Sequence, residues 1–374
     1  MPKAIMVALG TRPECIKLAP VIAALRARRR DFKTMICSSG QQRELLDQAL
    51  RDFQLVADRD LDVMRPDQSL AELTTSLVTG FTATIADMRP DLMLVQGDTT
   101  TAFAAALSAY YQRIPIAHVE AGLRSHDRFN PFPEEINRRY ISAIADVHFA
   151  PTPGAANALR SEGVDAASIH VTGNTIVDAL ASLRARLDAP RGYDLISKTV
   201  RELARDTSIV LVTCHRRENF GRNLATLLRA VRRIAIAHPL HKIVFPIHPN
   251  PNIRDIALAA LGDVANIHLL DPVSYPDSIH LLSRASLVLT DSGGLQEEAP
   301  SLGVPVLVLR LRTERPEAIA AGLAELVGVD EDRIVARAND FLARSTGAID
   351  RSNSNPFGDG RASERIVDVL ANMP

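Results

Sequence analysis

Short β-branched segments alternate with amphipathic ones along the chain, and that alternation constrains the fold more than any other feature. Strand candidates occupy Ala4–Leu9, Lys33–Ser38, Leu92–Gln96, Ile114–Val119, Val147–Ala150 and Ile169–Val171. A second set occupies Ser208–Thr213, Lys242–Ile247, Asn266–Leu269, Ser286–Thr290, Pro305–Leu309 and Ala324–Val327. Between them lie stretches with helical spacing, among them Pro13–Arg28, Leu70–Asp87, Thr100–Tyr111 and Leu224–Ala237. Strands joined through helices pair in parallel, and parallel sheets are covered on both faces. Two such sets predict an α/β protein of two Rossmann-like domains in tandem, broken near Val171–Asn174. A length of 374 residues is long for one core and suits two.

Composition excludes several classes. A net charge of -1 gives no sign of a polyanion partner, and the absence of Trp with 4% aromatics argues against stacking platforms for single-stranded nucleic acid. Cys15, Cys37 and Cys214 are too few and too scattered for a disulfide framework or a zinc site. The apolar start at Met1–Leu9 lacks a basic leader and runs into Gly10, so it reads as a first strand and not a signal peptide. No apolar stretch approaches the roughly 20 residues of a membrane helix, and a cytoplasmic location is expected. The basic run Arg26–Arg30 reads as a solvated helix end.

In open parallel sheets, ligands bind beyond the carboxyl ends of the strands, so polar clusters just after a strand are the functional candidates. Residues 290–298, Thr-Asp-Ser-Gly-Gly-Leu-Gln-Glu-Glu, pass that filter best. Gly293 and Gly294 let backbone approach a ligand closely, and a helix that starts there presents unpartnered N–H groups with partial positive charge. This is a phosphate cradle. Glu298, one turn on, is placed to accept hydrogen bonds from a ribose. Arg315, before a helix-starting proline, adds a guanidinium.

Four further clusters pass. Gly10-Thr-Arg-Pro-Glu14 brings Arg12 and, one turn on, Lys17 to a sheet edge. Gly97-Asp-Thr-Thr-Thr101 places Asp98 at a strand end beside threonines that suit a helix cap. His118-Val-Glu-Ala-Gly-Leu-Arg124 does the same for Glu120 and is followed by Pro133-Glu-Glu135, where Glu134 opens a helix. His215-Arg216-Arg217 suits a phosphate or a developing negative charge, and His248 repeats the strand-then-histidine pattern. Together these describe a cleft with cations for a diphosphate facing several carboxylates, which serve as acid and base when partly desolvated. No metal-binding spacing such as His-Glu-x-x-His occurs, and no Gly-x-Gly-x-x-Gly follows the first strand, so neither a metal nor a nicotinamide cofactor is indicated.

These motifs, with Gly173-Asn-Thr175, Thr313-Glu-Arg-Pro-Glu317 and Asn355-Pro-Phe-Gly-Asp-Gly360, resemble the non-hydrolysing UDP-N-acetylglucosamine 2-epimerases over nearly the whole chain. The resemblance implies a GT-B-like pair of Rossmann-like domains with an interdomain cleft. One domain spans 1–172, with a last helix in about 360–374 packing back on it, and the other spans 173–359 and binds UDP. It implies reversible interconversion of UDP-GlcNAc and UDP-ManNAc through UDP elimination to 2-acetamidoglucal, without a cofactor, in a homodimer that supplies surface polysaccharide. By motif position it gives catalytic roles to Asp98, Glu120, Glu134 and His215. It gives UDP binding to Arg12, Lys17, Arg216, Ser292, Gly293, Gly294, Glu298 and Arg315. Which carboxylate is base and which is acid stays open. Many bacterial relatives bind a second, activating UDP-GlcNAc, for which Gln41, Arg43, Arg216 and His248 are the corresponding candidates.

The chain departs from the family pattern at Cys214, where Gly or Ser is usual, and at Leu311 and Arg312. The uracil-contacting stretch Val273–Ser278 lacks the usual Gln and Phe. The alternative reading is a GT-B glycosyltransferase, which shares the glycine turn but has no need for Asp98, Glu120 and Glu134 together. A hydrolysing epimerase would release free ManNAc, and a silent nucleotide-sugar sensor would lack the carboxylates.

Overall fold

The computed structural model describes residues 1–205, 208–214, 219, 221–247, 251–343 and 355–373. The chain divides into two compact units, Met1–Ser182 with Phe357–Pro374, and Leu183–Pro356.

The first unit is built on a parallel sheet of seven strands. They are β1 (Lys3–Leu9), β2 (Phe32–Ser38), β3 (Arg59–Asp60), β4 (Leu92–Gln96), β5 (Ile116–Val119), β6 (Val147–Ala150) and β7 (Ile169–Val171). Their order across the sheet is β3-β2-β1-β4-β5-β6-β7. The period of two along a strand sends alternate residues of β1 to opposite faces. Ile5, Val7 and Leu9 meet Leu18, Ile22 and Leu25 of the helix Arg12–Ala27, and Ile366, Val367 and Leu370 of the last helix, Ala362–Asn372, join the same core. Met6 and Ala8 face Leu77, Phe81 and Ile85 of the helix Leu70–Met88 and alanines of the helix Thr100–Tyr111. Phe81 is wholly buried, so truncating it to Ala costs about 3–5 kcal/mol. Ser69 and Glu72 close a reciprocal capping box at the start of the helix Leu70–Met88. Asp178 accepts from the Ala362 and Ser363 N–H groups at 3.2 and 2.7 Å, tying down the start of the last helix.

The second unit repeats the plan with six parallel strands. They are β8 (Ile209–Thr213), β9 (Lys242–Pro246), β10 (Ile267–Leu270), β11 (Ala285–Thr290), β12 (Val306–Val308) and β13 (Ala324–Leu326). Their order is β10-β9-β8-β11-β12-β13. Val210, Val212, Phe245 and Leu289 pack with Leu227, Leu228 and Val231 of the helix Arg222–Ala237. The fold is the α/β class of two parallel-sheet domains read from the sequence. Its strands fall within two residues of their expected ends, apart from the added two-residue edge strand β3. Among the described residues no helix is long and apolar enough to cross a membrane.

Candidate active site

Each sheet has a switch point, where the chain leaves a central strand in one direction and later returns on its other side. In the first sheet it lies between β1 and β4, and in the second between β8 and β11. Beyond β1, β4 and β11 lie three of the clusters that the sequence singled out, and those with Glu120 and Arg315 follow the neighbouring strands β5 and β12.

After β1 the chain turns through Gly10 to Glu14. A Cβ at Gly10 would lie 2.1 Å from Thr101 Oγ1 and 2.4 Å from Ser39 Oγ, so only glycine fits. Glu14 folds back under its own loop. Its Oε2 accepts from the Gly10 N–H at 3.0 Å and the Thr11 hydroxyl at 2.8 Å, and its Oε1 accepts from the Thr99 hydroxyl at 2.7 Å. Glu14 therefore joins the loop after β1 to the loop after β4. Burial pushes its carboxyl up to about 7, with the three hydrogen bonds acting in the opposite sense. Arg12 is half-buried, and its backbone N–H donates to Gln42 Oε1 at 3.2 Å.

Asp98 and Glu120 stand at the ends of the neighbouring strands β4 and β5, which pair Gln96 with Val119. The Asp98 carboxylate pairs with the Arg138 guanidinium, and its backbone carbonyl accepts from Asn137 Nδ2 at 3.0 Å. Glu120 is buried and pairs with the Lys17 ammonium. Its Oε2 also accepts from Gln96 Nε2 at 2.8 Å. The Glu120 backbone has φ 62°, a left-handed conformation that costs a non-glycine residue of order 1–3 kcal/mol. Its fixed side chain and the packing of Gly122 against the Ala155 carbonyl hold that turn. Beneath it, His118 Nε2–H donates to the Gly97 carbonyl at 2.8 Å, and burial pushes this histidine down to about 3, so it is neutral. Glu134 is partly exposed at the first position of the helix Glu134–Ile144, whose next turn supplies Asn137 and Arg138.

In the second unit β11 runs into Ser292 and the helix Gly293–Leu302. Ser292 makes no side-chain cap, so its hydroxyl does not occupy the N–H groups of that helix end. The Arg315 guanidinium lies flat against Gly293, where a Cβ would be only 2.5 Å from Arg315 Cζ. Its Nε donates to Glu297 Oε1 at 2.6 Å and its Nη1 to Glu314 Oε1 at 2.5 Å. Gln296 fixes the turn from within, donating to the Ser292 carbonyl at 3.1 Å and accepting from Thr313 Oγ1 at 2.7 Å. Asn219 donates to Asp291 Oδ2 at 2.9 Å, bracing the base of the same turn. Glu298 is buried, while Ser292 and Gly294 are partly exposed. A positive helix end, a partly exposed glycine and an adjacent guanidinium have the chemistry of an anion cradle.

The structure thus brings Asp98, Glu120 and Lys17 together, with Glu134 on the helix that grips Asp98. It separately brings Ser292, Gly293, Gly294, Glu298 and Arg315 together. Lys17, read from the sequence as a UDP ligand, ends on the Glu120 carboxylate. Gln41 accepts from Thr101 Oγ1 at 2.7 Å, and Arg43 is held by Asp47 at 2.8 Å and Asp60 at 2.5 Å. His215, Arg216 and His248 lie outside the described residues. Ser274 caps the helix Tyr275–Arg284 through the Asp277 N–H at 3.1 Å, so the divergent stretch there is a helix start. All three cysteines are buried, and burial pushes the Cys15 and Cys37 thiols up to about 12. Among the described residues no cluster of three or more His, Cys, Asp or Glu is placed to hold a metal ion.

Gln96, Asn137 and Arg138 went unassigned in the sequence. Their signal was positional: Gln96 ends a strand beside Gly97, and Asn137 and Arg138 fall three and four residues after Glu134, one helical turn on.

The family profile described as UDP-N-acetylglucosamine 2-epimerase matches residues 24–371. The UDP-N-acetylglucosamine 2-epimerase of Escherichia coli K12 is 44% identical over 371 residues, covering 98% of both chains. Among solved structures, the chain is similar to UDP-GlcNAc 2-epimerase from Neisseria meningitidis bound to UDP-GlcNAc, with a TM-score of 0.94 and 42% identity over 98% of this chain and 99% of that one. It is also similar to the Methanocaldococcus jannaschii enzyme in complex with UDP-GlcNAc and UDP, with a TM-score of 0.86 and 34% identity over 98% and 99% of the two chains. The likeness in sequence spans both sheets and both candidate clusters, and on that ground the chain belongs to the UDP-N-acetylglucosamine 2-epimerase family.

Proposed function

We propose that the chain interconverts UDP-N-acetylglucosamine and UDP-N-acetylmannosamine without hydrolysis, by eliminating UDP and adding it back. The C2 proton of the sugar is a weak acid, so its removal is tied to the departure of a stabilised anion from C1. In the forward step a carboxylate takes the C2 proton, the electron pair forms the C1–C2 double bond of 2-acetamidoglucal, and the C1–O bond breaks to release UDP. In the return step a proton reaches C2 on the opposite face and UDP re-adds at C1. The enzyme then needs acid–base groups at the sugar and a firm hold on the diphosphate, so that the intermediate is not lost.

One observation carries the reading: Asp98 and Glu120 end adjacent strands, each on a buried cation, and Glu134 opens the helix that grips Asp98. Anion binding alone has no need of such a group. In this reading Asp98, Glu120, Glu134 and His215 do the proton and leaving-group chemistry. Arg12, Arg216, Ser292, Gly293, Gly294, Glu298 and Arg315 hold UDP together with Lys17, whose ammonium also pairs with Glu120. The anion cradle meets the diphosphate through backbone N–H groups and the Arg315 guanidinium. No cofactor takes part. A soluble homodimer feeding surface polysaccharide is the setting that the family likeness supports.

Proton NMR of UDP-GlcNAc with the enzyme in deuterated water tests the reading. The expected result is deuterium at C2 alongside the manno epimer, with no acceptor present. An epimer that keeps its C2 hydrogen removes the elimination route. Free ManNAc with UDP points to hydrolysis, and turnover only with an added acceptor points to a glycosyltransferase.

A further inference from the structure

We infer that Arg138 is a positioning residue that sets the spacing of the three carboxylates by holding all three segments that carry them, an inference that rests on the epimerase reading above. Arg138 is 2% exposed, among the largest fully buried side chains of the protein. Its Nη2 pairs with the Asp98 carboxylate beyond β4. Its Nη1 donates to the Leu123 carbonyl at 2.9 Å, in the turn that carries Glu120, and lies 3.4 Å from Glu135 Oε2. Its own backbone belongs to the helix that Glu134 opens. One guanidinium therefore touches the Asp98 segment, the Glu120 turn and the Glu134 helix at once.

The surroundings are built around that fork. The Leu123 carbonyl also accepts from Arg124 Nη1 at 2.8 Å. Arg124 in turn reaches Glu162 at 2.7 Å and Ser142 Oγ at 3.1 Å, and Ser142 donates back to the Arg138 carbonyl at 2.9 Å. Glu135, wholly buried, accepts from the Ser125 N–H at 2.9 Å and from Arg139 at 3.0 Å. Asn137 grips the Asp98 backbone while Arg138 grips its carboxylate, so that residue is held at both ends. A planar fork of five donors can serve a carboxylate and a carbonyl in fixed directions at the same time. An ammonium carries its three donors on one nitrogen at the end of a flexible stem and cannot span both acceptors in those fixed directions.

That geometry separates positioning from binding. Proton transfer falls off steeply when a carboxylate is misplaced by about 1 Å, whereas the anion cradle belongs to other residues. Three variants of the full chain, Arg138→Lys, Arg138→Met and Arg138→Ala, are compared with the parent for kcat and KM with UDP-GlcNAc, for UDP affinity by calorimetry and for thermal unfolding. The expected kcat losses are roughly 100-fold or more for Arg138→Met and roughly 10-fold for Arg138→Lys, with KM and UDP affinity within about threefold. Added guanidinium ion is expected to restore part of the kcat of Arg138→Ala and none of that of Arg138→Met, whose side chain fills the space. Folded variants with kcat within threefold of the parent overturn the inference. So does a kcat loss that follows the unfolded fraction and ignores guanidinium, or a set of variants none of which folds. A parent chain that makes no manno epimer sinks the epimerase reading itself, while an active parent indifferent to Arg138 sinks only this step.

Discussion

At and beside the switch point of the first sheet the polar groups are side-chain acids, held at the ends of β4 and β5 by buried cations: Arg138 for Asp98 and Lys17 for Glu120. At the switch point of the second sheet, backbone comes first. The helix from Gly293 presents N–H groups that its N-cap side chain does not cover, and the nearby arginine is itself bracketed by Glu297 and Glu314. In the proposed function the same topology serves two kinds of chemistry. Moving a proton needs titratable groups at defined distances, and those are side chains. Holding a phosphate needs only donors that do not titrate, and backbone supplies them at no risk of losing their protons. The comparison makes a division of labour testable: changes at the acids beyond the first sheet should act on turnover, and changes at the glycine turn of the second on UDP affinity.

The largest effect is expected in the first unit. Asp98→Asn and Glu120→Gln should each lower kcat by roughly 1,000-fold, the range of a lost acid–base group, while UDP affinity by calorimetry stays within about threefold. An equal loss in both quantities would break the division. The amide variants keep an oxygen for Arg138 and Lys17 but leave each buried cation without its counter-charge, so unfolding temperatures are the necessary control and the kcat comparison is made on the folded fraction.

Next comes a stability effect confined to Glu14. Its carboxyl is raised from 4.5 to about 7, which corresponds to about 3 kcal/mol. Between those values the folded chain binds more protons than the unfolded one, so Glu14 lowers stability as pH rises from about 4.5 to about 7, and the full cost is present above that. Glu14→Gln keeps one oxygen for the Gly10 N–H and the Thr11 hydroxyl, and the Thr99 hydroxyl can accept from the new amide. Calorimetry should show a melting temperature raised by roughly 5 °C or more at pH 8 and little changed at pH 4.5. His118 and His148 work in the opposite sense. Burial pushes them down to about 3 and about 4, so their neutral forms stabilise the fold at neutral pH and that contribution is lost as pH falls below about 6.5. An equal gain in Glu14→Gln at both pH values would mean that the benefit is not electrostatic.

Glu14 also marks what the sequence could and could not reveal. The strand ends were legible because apolar runs with turn residues after them are a local signal, and Asp98 and Glu120 fell out of the rule that sites follow strands. The strand-to-helix turn at Ser292–Gly294 was legible because serine and paired glycines after an apolar run carry their own backbone logic. The partners were not. Lys17 and Glu120 are 103 residues apart, Asp98 and Arg138 40 apart, and no local pattern states which cation goes to which acid. Lys17 read as one more phosphate ligand for that reason. Glu14 read as part of a loop motif with Arg12, although its three hydrogen bonds and complete burial make it the joint between two loops. The two-residue strand β3 escaped because Arg59 and Asp60 carry no apolar pattern and are placed by register against Cys37 and Ser38.

The second unit predicts a smaller and different response. Gly293→Ala would set a methyl 2.5 Å from Arg315 Cζ and 2.6 Å from its Nη1, so the guanidinium must leave the helix end. Loss of a charge-assisted contact is expected to weaken UDP binding roughly 10- to 100-fold with kcat at saturation changed less. Gly294→Ala is the paired control. Its Cβ would meet nothing nearer than Ser292 Oγ at 3.9 Å, and alanine favours a helix over glycine by about 1 kcal/mol. The empty protein should therefore gain stability. If the diphosphate approaches that backbone as proposed, UDP affinity should fall even so. Tighter UDP binding by Gly294→Ala would move the diphosphate elsewhere.

The smallest effect is expected at Arg43, the candidate for activation by a second UDP-GlcNAc. Its guanidinium is already shared between Asp47 at 2.8 Å and Asp60 at 2.5 Å, with Asp62 at 3.7 Å. An incoming diphosphate would have to displace those carboxylates, and the half-exposed pairs are worth only about 0–1 kcal/mol, so losing them disturbs little. Arg43→Gln should leave kcat within about threefold. The rate from pure UDP-ManNAc should respond to traces of UDP-GlcNAc as it does in the parent, whatever that response is. A stimulation present in the parent and absent in Arg43→Gln would show that the first unit binds a nucleotide sugar through a side-chain cation as well as serving its protons. The division of labour between the two sheets would then hold for the catalytic step alone.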